Sequence, residues 1–161
     1  MASYIKSKVQ QSLSFLLVLV IAFSVFSGVL FLNPSPSYAY SESDLSRALI
    51  GDKDLIGADL READLTEANL TEADLGGAYL TGADLRGADL TEAYLSWANL
   101  TGADLRGADL TEAYLNKADL READLTEADL TEADLTEAIA NSKTRFPDDF
   151  NARGAGVNIL P

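Results

Sequence analysis

Twenty-six carboxylates, with no histidine and no cysteine, limit the chemistry open to this chain. Histidine is the commonest general base and cysteine the readiest thiol nucleophile, so both routes are closed. Carboxylates can still move protons or hold hard cations through oxygen. Their spacing argues against catalysis. Asp54, Asp59, Asp64, Asp74, Asp84 and their successors recur at multiples of five residues. Positions so equivalent single out no acid–base pair, and no apolar pocket raises one above the rest. No phosphate-binding glycine loop, zinc-spaced ligand set or calcium loop occurs. No enzyme activity, metal site or cofactor is expected.

The elements positioning these acids follow from the same period. From Lys53 to Glu137 the unit Ala-(Asp/Asn/Tyr)-Leu-x-x runs seventeen times without insertion or deletion. Leucine holds the central position from Leu55 to Leu135, and alanine precedes it by two from Ala58 to Ala133, with Lys53 as the exception. A period this strict defines the architecture before local propensity does. On an α-helix five residues turn through about 500°, scattering the leucines over every side. On a flat strand an odd spacing sends alternate leucines to opposite faces. Burying them together requires one bend per unit. Alanine and leucine then share the inward face, the residue between them faces water, and the two trailing residues make the corner. Coils so formed stack through backbone hydrogen bonds as a solenoid.

The number of units per coil leaves its own trace. Residues 81–95 recur letter for letter as 101–115, and READLTEA at 61–68 recurs at 121–128. Twenty residues make four units and a square section, although gene duplication alone would leave the same match. The A(D/N)LXX unit resembles the pentapeptide-repeat family over residues 53–137. That resemblance implies an all-β solenoid: a right-handed quadrilateral β-helix of four pentapeptides per coil, about four coils, with short helical caps. At the usual inter-strand spacing the rod is roughly 20 Å tall.

The ends read differently. Lys6 and Lys8 precede an apolar run at 13–32, then Asn33-Pro34-Ser35-Pro36 and small residues Ser37 and Ala39. Residues 1–39 are therefore expected to be a Sec-type signal peptide, cleaved before Tyr40. The alternative is an uncleaved anchor, since about twenty apolar residues can span a bilayer. Cleavage would leave 26 acids, 10 bases and a formal charge of −16. Without cysteine, the exported product would rely on its stack and caps. Residues 40–52 are expected to form the N-terminal cap. Leu45 and Ile50 fall in repeat frame, but Leu49 would then point outward, so a short helix from Ser41 or Ser43 is preferred. Residues 138–161 form the C-terminal cap and tail. Ala140 interrupts the leucines, Phe146 and Phe150 are placed to plug the last coil, and 151–161 is expected to be a loose terminus. The tail Thr144-x-Phe146-Pro147-x-x-Phe150 resembles the closing segments of cyanobacterial members. Such an exported protein would reach the thylakoid lumen or periplasm.

On a twenty-residue coil, Asp64, Asp84, Asp104 and Asp124 align, as do Thr71, Thr91, Thr111 and Thr131. Aligned carboxylates about 5 Å apart repel, and Arg86 and Arg106 are expected to compensate them. The acidic exterior reads first as a soluble, solvated surface, with weak divalent-cation binding as the alternative. Tyr94 and Tyr114 replace the usual acid one above the other, with Trp97 at the next corner and Tyr79 on the adjoining side. Clustered exposed aromatics are uncommon on a monomer and frequent at interaction hot spots. Tyr79, Tyr94, Trp97 and Tyr114 are thus a candidate partner-binding patch, against packing of good β formers along a sheet.

The expected function is a non-catalytic interaction or structural module of an exported compartment, monomeric, with an unknown protein partner. Direct nucleic-acid binding is excluded, because the basic patch it needs is missing. The membrane is met only through the signal segment. Two other readings remain. One is a DNA-mimic modulator of a type II topoisomerase, as the resemblance and the charge suggest. The other is an acidic, cation-buffering rod.

Overall fold

A computed structural model describes residues 40–161; the segment 1–39 read as a signal peptide lies outside them. From Asp54 onward the chain makes parallel bridges to itself at a constant offset, Asp54 to Asp74, Asp59 to Tyr79, Asp64 to Asp84 and Asn69 to Asp89. Four such columns rise side by side, so each coil holds four pentapeptides. Each side contributes a single bridged residue per coil, because the chain must turn again within three residues. Longer strands cannot form on so tight a square.

Turning is local and repeated. The carbonyl of each leucine accepts the N–H of the alanine three residues on, as from Ala88 to Leu85 at 3.1 Å. The second corner residue lies in the left-handed region, near φ 60°, whether it is glycine (Gly87, Gly107) or not (Glu92, Trp97). A type II turn requires that conformation at its third residue. Inside the coils the leucines from Leu55 to Leu125 are fully buried, with alanines filling the space between. No polar side chain is buried among the described residues. Each enclosed leucine contributes about 1.5–3 kcal/mol.

The first coil is closed by helix α1, Glu42–Leu49. Ser41 caps it, its hydroxyl accepting the Asp44 N–H at 3.4 Å. Ala48 is buried, and Tyr40, Leu45 and Leu49 pack on the core. Ile50 is exposed, so the helical phase, not the repeat frame, decides which apolar residue turns inward. The lid also completes the coil's open edge. Ser41 N–H donates to the Asp59 carbonyl at 2.9 Å, and the Asp59 N–H donates to the Asp44 carboxylate at 3.1 Å. Arg47 holds Asp52 at 2.8 Å.

The far end departs from two expectations. No helix closes it among the described residues. Strand β1, Ile139–Ala140, pairs in parallel with β2, Asn158–Ile159. Nor is 151–161 loose. Ala152 and Val157 are buried, and Asn158 and Leu160 donate to Ala138 and Ala140, each at 2.8 Å. Two small apolar side chains and the unpaired carbonyls of the last coil suffice to hold the segment down. Ala140 occupies the leucine column and is fully buried. One inserted residue shifts the next bridge to Asp124–Arg145, which places Phe146 in the following leucine position. Phe146 and Phe150 pack on the core with ring centroids 5.5 Å apart.

Candidate functional site

With the interior so uniform, any specificity lies in the outward residue between alanine and leucine. Its role emerges from counting N–H groups in one unit, Ala83 to Gly87. Ala83 donates to the Leu80 carbonyl, Asp84 to Ala63 one coil back, and Leu85 to Asp104 one coil on. Gly87 donates to Arg106 at 3.1 Å. That leaves Arg86, whose N–H is accepted by its own neighbour, Asp84 Oδ1, at 3.3 Å. The outward acid therefore closes the turn, and backbone pairing is complete. The same bond follows every outward Asp or Asn from Asp59 to Asp134. This function was missed in the sequence, although restriction of the site to Asp, Asn or Tyr was its signal.

Tyrosine cannot supply that acceptor. Among the described residues, no acceptor meets the N–H of Thr81, Ser96 or Asn116, the residues two beyond Tyr79, Tyr94 and Tyr114. A typical intramolecular hydrogen bond is worth about 0.5–1.5 kcal/mol net. Each tyrosine is thus installed against the local preference of its turn. Their rings stay roughly half in water, at 52%, 49% and 43% relative exposure for Tyr79, Tyr94 and Tyr114.

Ring stacking joins two of the four candidate aromatics. Tyr94 and Tyr114 are bridge partners whose rings stack at 4.9 Å and 5°. Beside them Ser96 Oγ donates to Asn116 Oδ1 at 2.6 Å, a side-chain bond from coil to coil that leaves both backbone N–H groups without an acceptor. Trp97 stands at the adjacent corner, 66% exposed. Lys117 Nζ lies 4.8 Å from its ring centroid and 3.9 Å from Glu137. Both Trp97 and Lys117 hold the left-handed conformation that Gly57 and Gly77 adopt freely below them. For a non-glycine residue that costs roughly 1–2 kcal/mol. Tyr79 bridges Asp59 and Asn99 on the neighbouring side, and no ring stacking joins it to the other three.

On the second and third sides arginines pair with several outward acids, while Asp64, Asp89, Asp109 and Asp129 have no ion pair among the described residues. Arg86 and Arg106 grip Asp84 and Asp104 at 2.5 and 2.6 Å, and Arg86 also reaches Asp104 at 3.8 Å. Arg61 and Arg121 hold Asp59 and Asp119 in the same way. The guanidinium hydrogen bond keeps the Asp59, Asp84, Asp104 and Asp119 carboxyls below their ordinary range, against partial burial, which pushes them up. The Asp84–Asp104 ladder is thus a chain of ion pairs with its repulsion offset. On the first side no ion pair reaches Asp54 or Asp74 among the described residues. No group of carboxylates is arranged to hold a metal ion there either.

The sequence matches the model of the family described as pentapeptide repeats, in 8 copies, over residues 41–77, 68–107 and 103–139. Comparison with curated proteins gives no match. Among solved structures it is similar to HetL, a pentapeptide repeat protein involved in heterocyst differentiation regulation in the cyanobacterium Nostoc sp. strain PCC 7120. The two are 39% identical over 54% of this chain and 44% of HetL, with a TM-score of 0.45. A second pentapeptide repeat protein from Nostoc PCC 7120 is 33% identical over 78% of this chain and 100% of its own, with a TM-score of 0.40. A third, from the Arabidopsis thaliana thylakoid lumen, is 32% identical over 55% of this chain and 61% of its own, at 0.41. The chain thus spans under half of HetL and about three fifths of the Arabidopsis protein.

Proposed function

Because the chain belongs to the pentapeptide-repeat family, we propose that it is a non-catalytic protein-interaction module built on that family's right-handed quadrilateral β-helix. Its working surface is the aromatic patch of Tyr94, Tyr114 and Trp97, with Tyr79 on the adjoining side. One observation carries this reading: each tyrosine displaces a turn-closing acid and leaves a backbone N–H without an acceptor, yet stays half exposed. A residue chosen for stability would be Asp or Asn there. Stacked, exposed aromatics on an acidic rod are the composition of an interaction hot spot. The interior is filled with leucine and alanine side chains, so the outward residues carry the proposed role.

The proposed setting is an exported compartment, thylakoid lumen or periplasm, supported by the Lys6/Lys8, apolar and Ala39 pattern of residues 1–39. Affinity capture from the exported fraction with the full chain as bait tests the reading. A protein retained by the wild type and lost with Tyr94→Ala plus Trp97→Ala is expected. Retention of every captured protein by the double variant would make the patch structural only.

A further inference from the structure

We propose that a depression at the foot of the tyrosine stack receives an arginine or lysine side chain from an extended segment of the partner. The proposal rests on the interaction reading above and names the chemistry of its partner. The depression measures about 370 Å³ and is lined by Lys53, Asp54, Ile56, Glu72, Asp74 and Tyr94. Three features converge in it.

The first is unspent charge. Arginines of this chain occupy Asp59, Asp84, Asp104 and Asp119. The Asp54 and Asp74 carboxylates, like those of Asp64, Asp89, Asp109, Asp129 and Asp134, have no such partner among the described residues. In this depression Asp74 Oδ1 takes only the Gly76 N–H, at 3.1 Å, and what sets the pair apart is the aromatic flank beside it. Lys53 Nζ, the one cation lining the depression, is turned to the Thr71 carbonyl. The second is the Tyr94 ring. Asp74 and Tyr94 are bridge partners, so an aromatic flank rises directly beside the free carboxylate. A guanidinium pairs with the one while lying along the other. The third is Ile56, 64% exposed at the rim. An apolar rim suits the methylene stem of a long basic side chain and would not favour a hydrated metal ion.

Charge complementarity selects this occupant over others. The described residues carry a formal charge of −16, which repels nucleic acid and acidic segments. The Tyr94–Tyr114 stack and Trp97 extend the surface up the same side and its corner, as a peptide rather than a small cation would require.

The test uses the full chain and fluorescein-labelled peptides that differ in one respect: two arginines, or two citrullines of the same shape without charge. Fluorescence anisotropy at physiological salt is expected to show saturable binding of the arginine peptide and roughly tenfold weaker binding of the citrulline peptide. Asp74→Asn keeps the turn acceptor and is expected to weaken arginine binding roughly three- to tenfold. Asp109→Asn removes the same charge from another side and should leave it unchanged. Equal binding of the two peptides, or equal loss in Asp74→Asn and Asp109→Asn, would overturn the site as diffuse attraction to an acidic rod. Spermidine binding as tightly as the arginine peptide, with the same Asp74 dependence, would overturn the protein partner in favour of a polyamine. In the capture experiment, a partner lost with the aromatic variant but kept by Asp54→Asn plus Asp74→Asn would preserve the patch and sink this site.

Discussion

Two sides of the same square rod use one backbone for opposite ends. On the third side Asp64, Asp84, Asp104 and Asp124 stand in line. Each closes its own turn, and Asp84 and Asp104 are held by Arg86 and Arg106. On the first side the column reads Asp54, Asp74, Tyr94, Tyr114, Asp134. There the N–H groups of Ile56, Ser96 and Asn116 lack an acceptor, two rings stack in water, and Asp54, Asp74 and Asp134 lack an ion-pair partner among the described residues. The coil and its leucine core are indifferent to which residue points out. That indifference leaves one column free to serve stability and another to serve the recognition proposed above.

The contrast predicts, first and largest, that the core does not distinguish the two sides. Leu95→Ala behind Tyr94 and Leu105→Ala behind Asp104 should each cost about 2–5 kcal/mol. Urea unfolding checks this, and a loss confined to one side would show that the interior is not shared. Next in size is the outward residue itself. Asp104→Ala removes a turn acceptor and an exposed ion pair and should cost about 1 kcal/mol. Asp104→Asn, which keeps Oδ1, should cost less. Tyr94→Asp trades the ring stack for a closed turn, so stability should stay within about 1 kcal/mol of wild type while partner capture is lost.

Smaller again is the corner. Glu92 holds φ 56° where Gly87 and Gly102 hold the same conformation freely. Glu92→Gly should therefore stabilise by about 0.5–1 kcal/mol in thermal or urea unfolding. The slightest effect concerns acid. Asp84 and Asp104 have folded values below the unfolded one of about 3.9. Their contribution is complete above that value and is lost as pH falls through the lowered folded values. Stability should hold from neutral pH to about pH 4 and decline below it. Asp84→Asn plus Asp104→Asn should flatten the declining limb, and an unchanged limb in urea midpoints measured against pH would remove the side-three ion pairs from the account.

Much of this was legible in the residues. The strict Leu55–Leu135 spacing dictated a common interior, and the repeat of 81–95 at 101–115 marked the coil length that the bridges display. Tyr94 over Tyr114 followed from the same arithmetic. What escaped is what depends on local backbone geometry. Asp at the outward site reads as solvation until its Oδ1 is seen on the N–H two residues later. Trp97 and Lys117 do not look like residues of left-handed φ, and spacing placed Tyr79 on the adjoining side without telling which rings would stack. The tail misled for another reason. Gly154 and Gly156 suggest looseness, but Val157 finds the end of the core and Gly156 carries φ 85° against Thr136.

Amide exchange resolved by NMR tests the central contrast most directly. If tyrosine surrenders a turn bond to gain a recognition surface, the N–H groups of Thr81, Ser96 and Asn116 should exchange faster than those of Arg86, Thr91, Arg106 and Thr111, their counterparts behind acids. Equal protection at all seven positions would contradict it, because the tyrosines would then displace nothing.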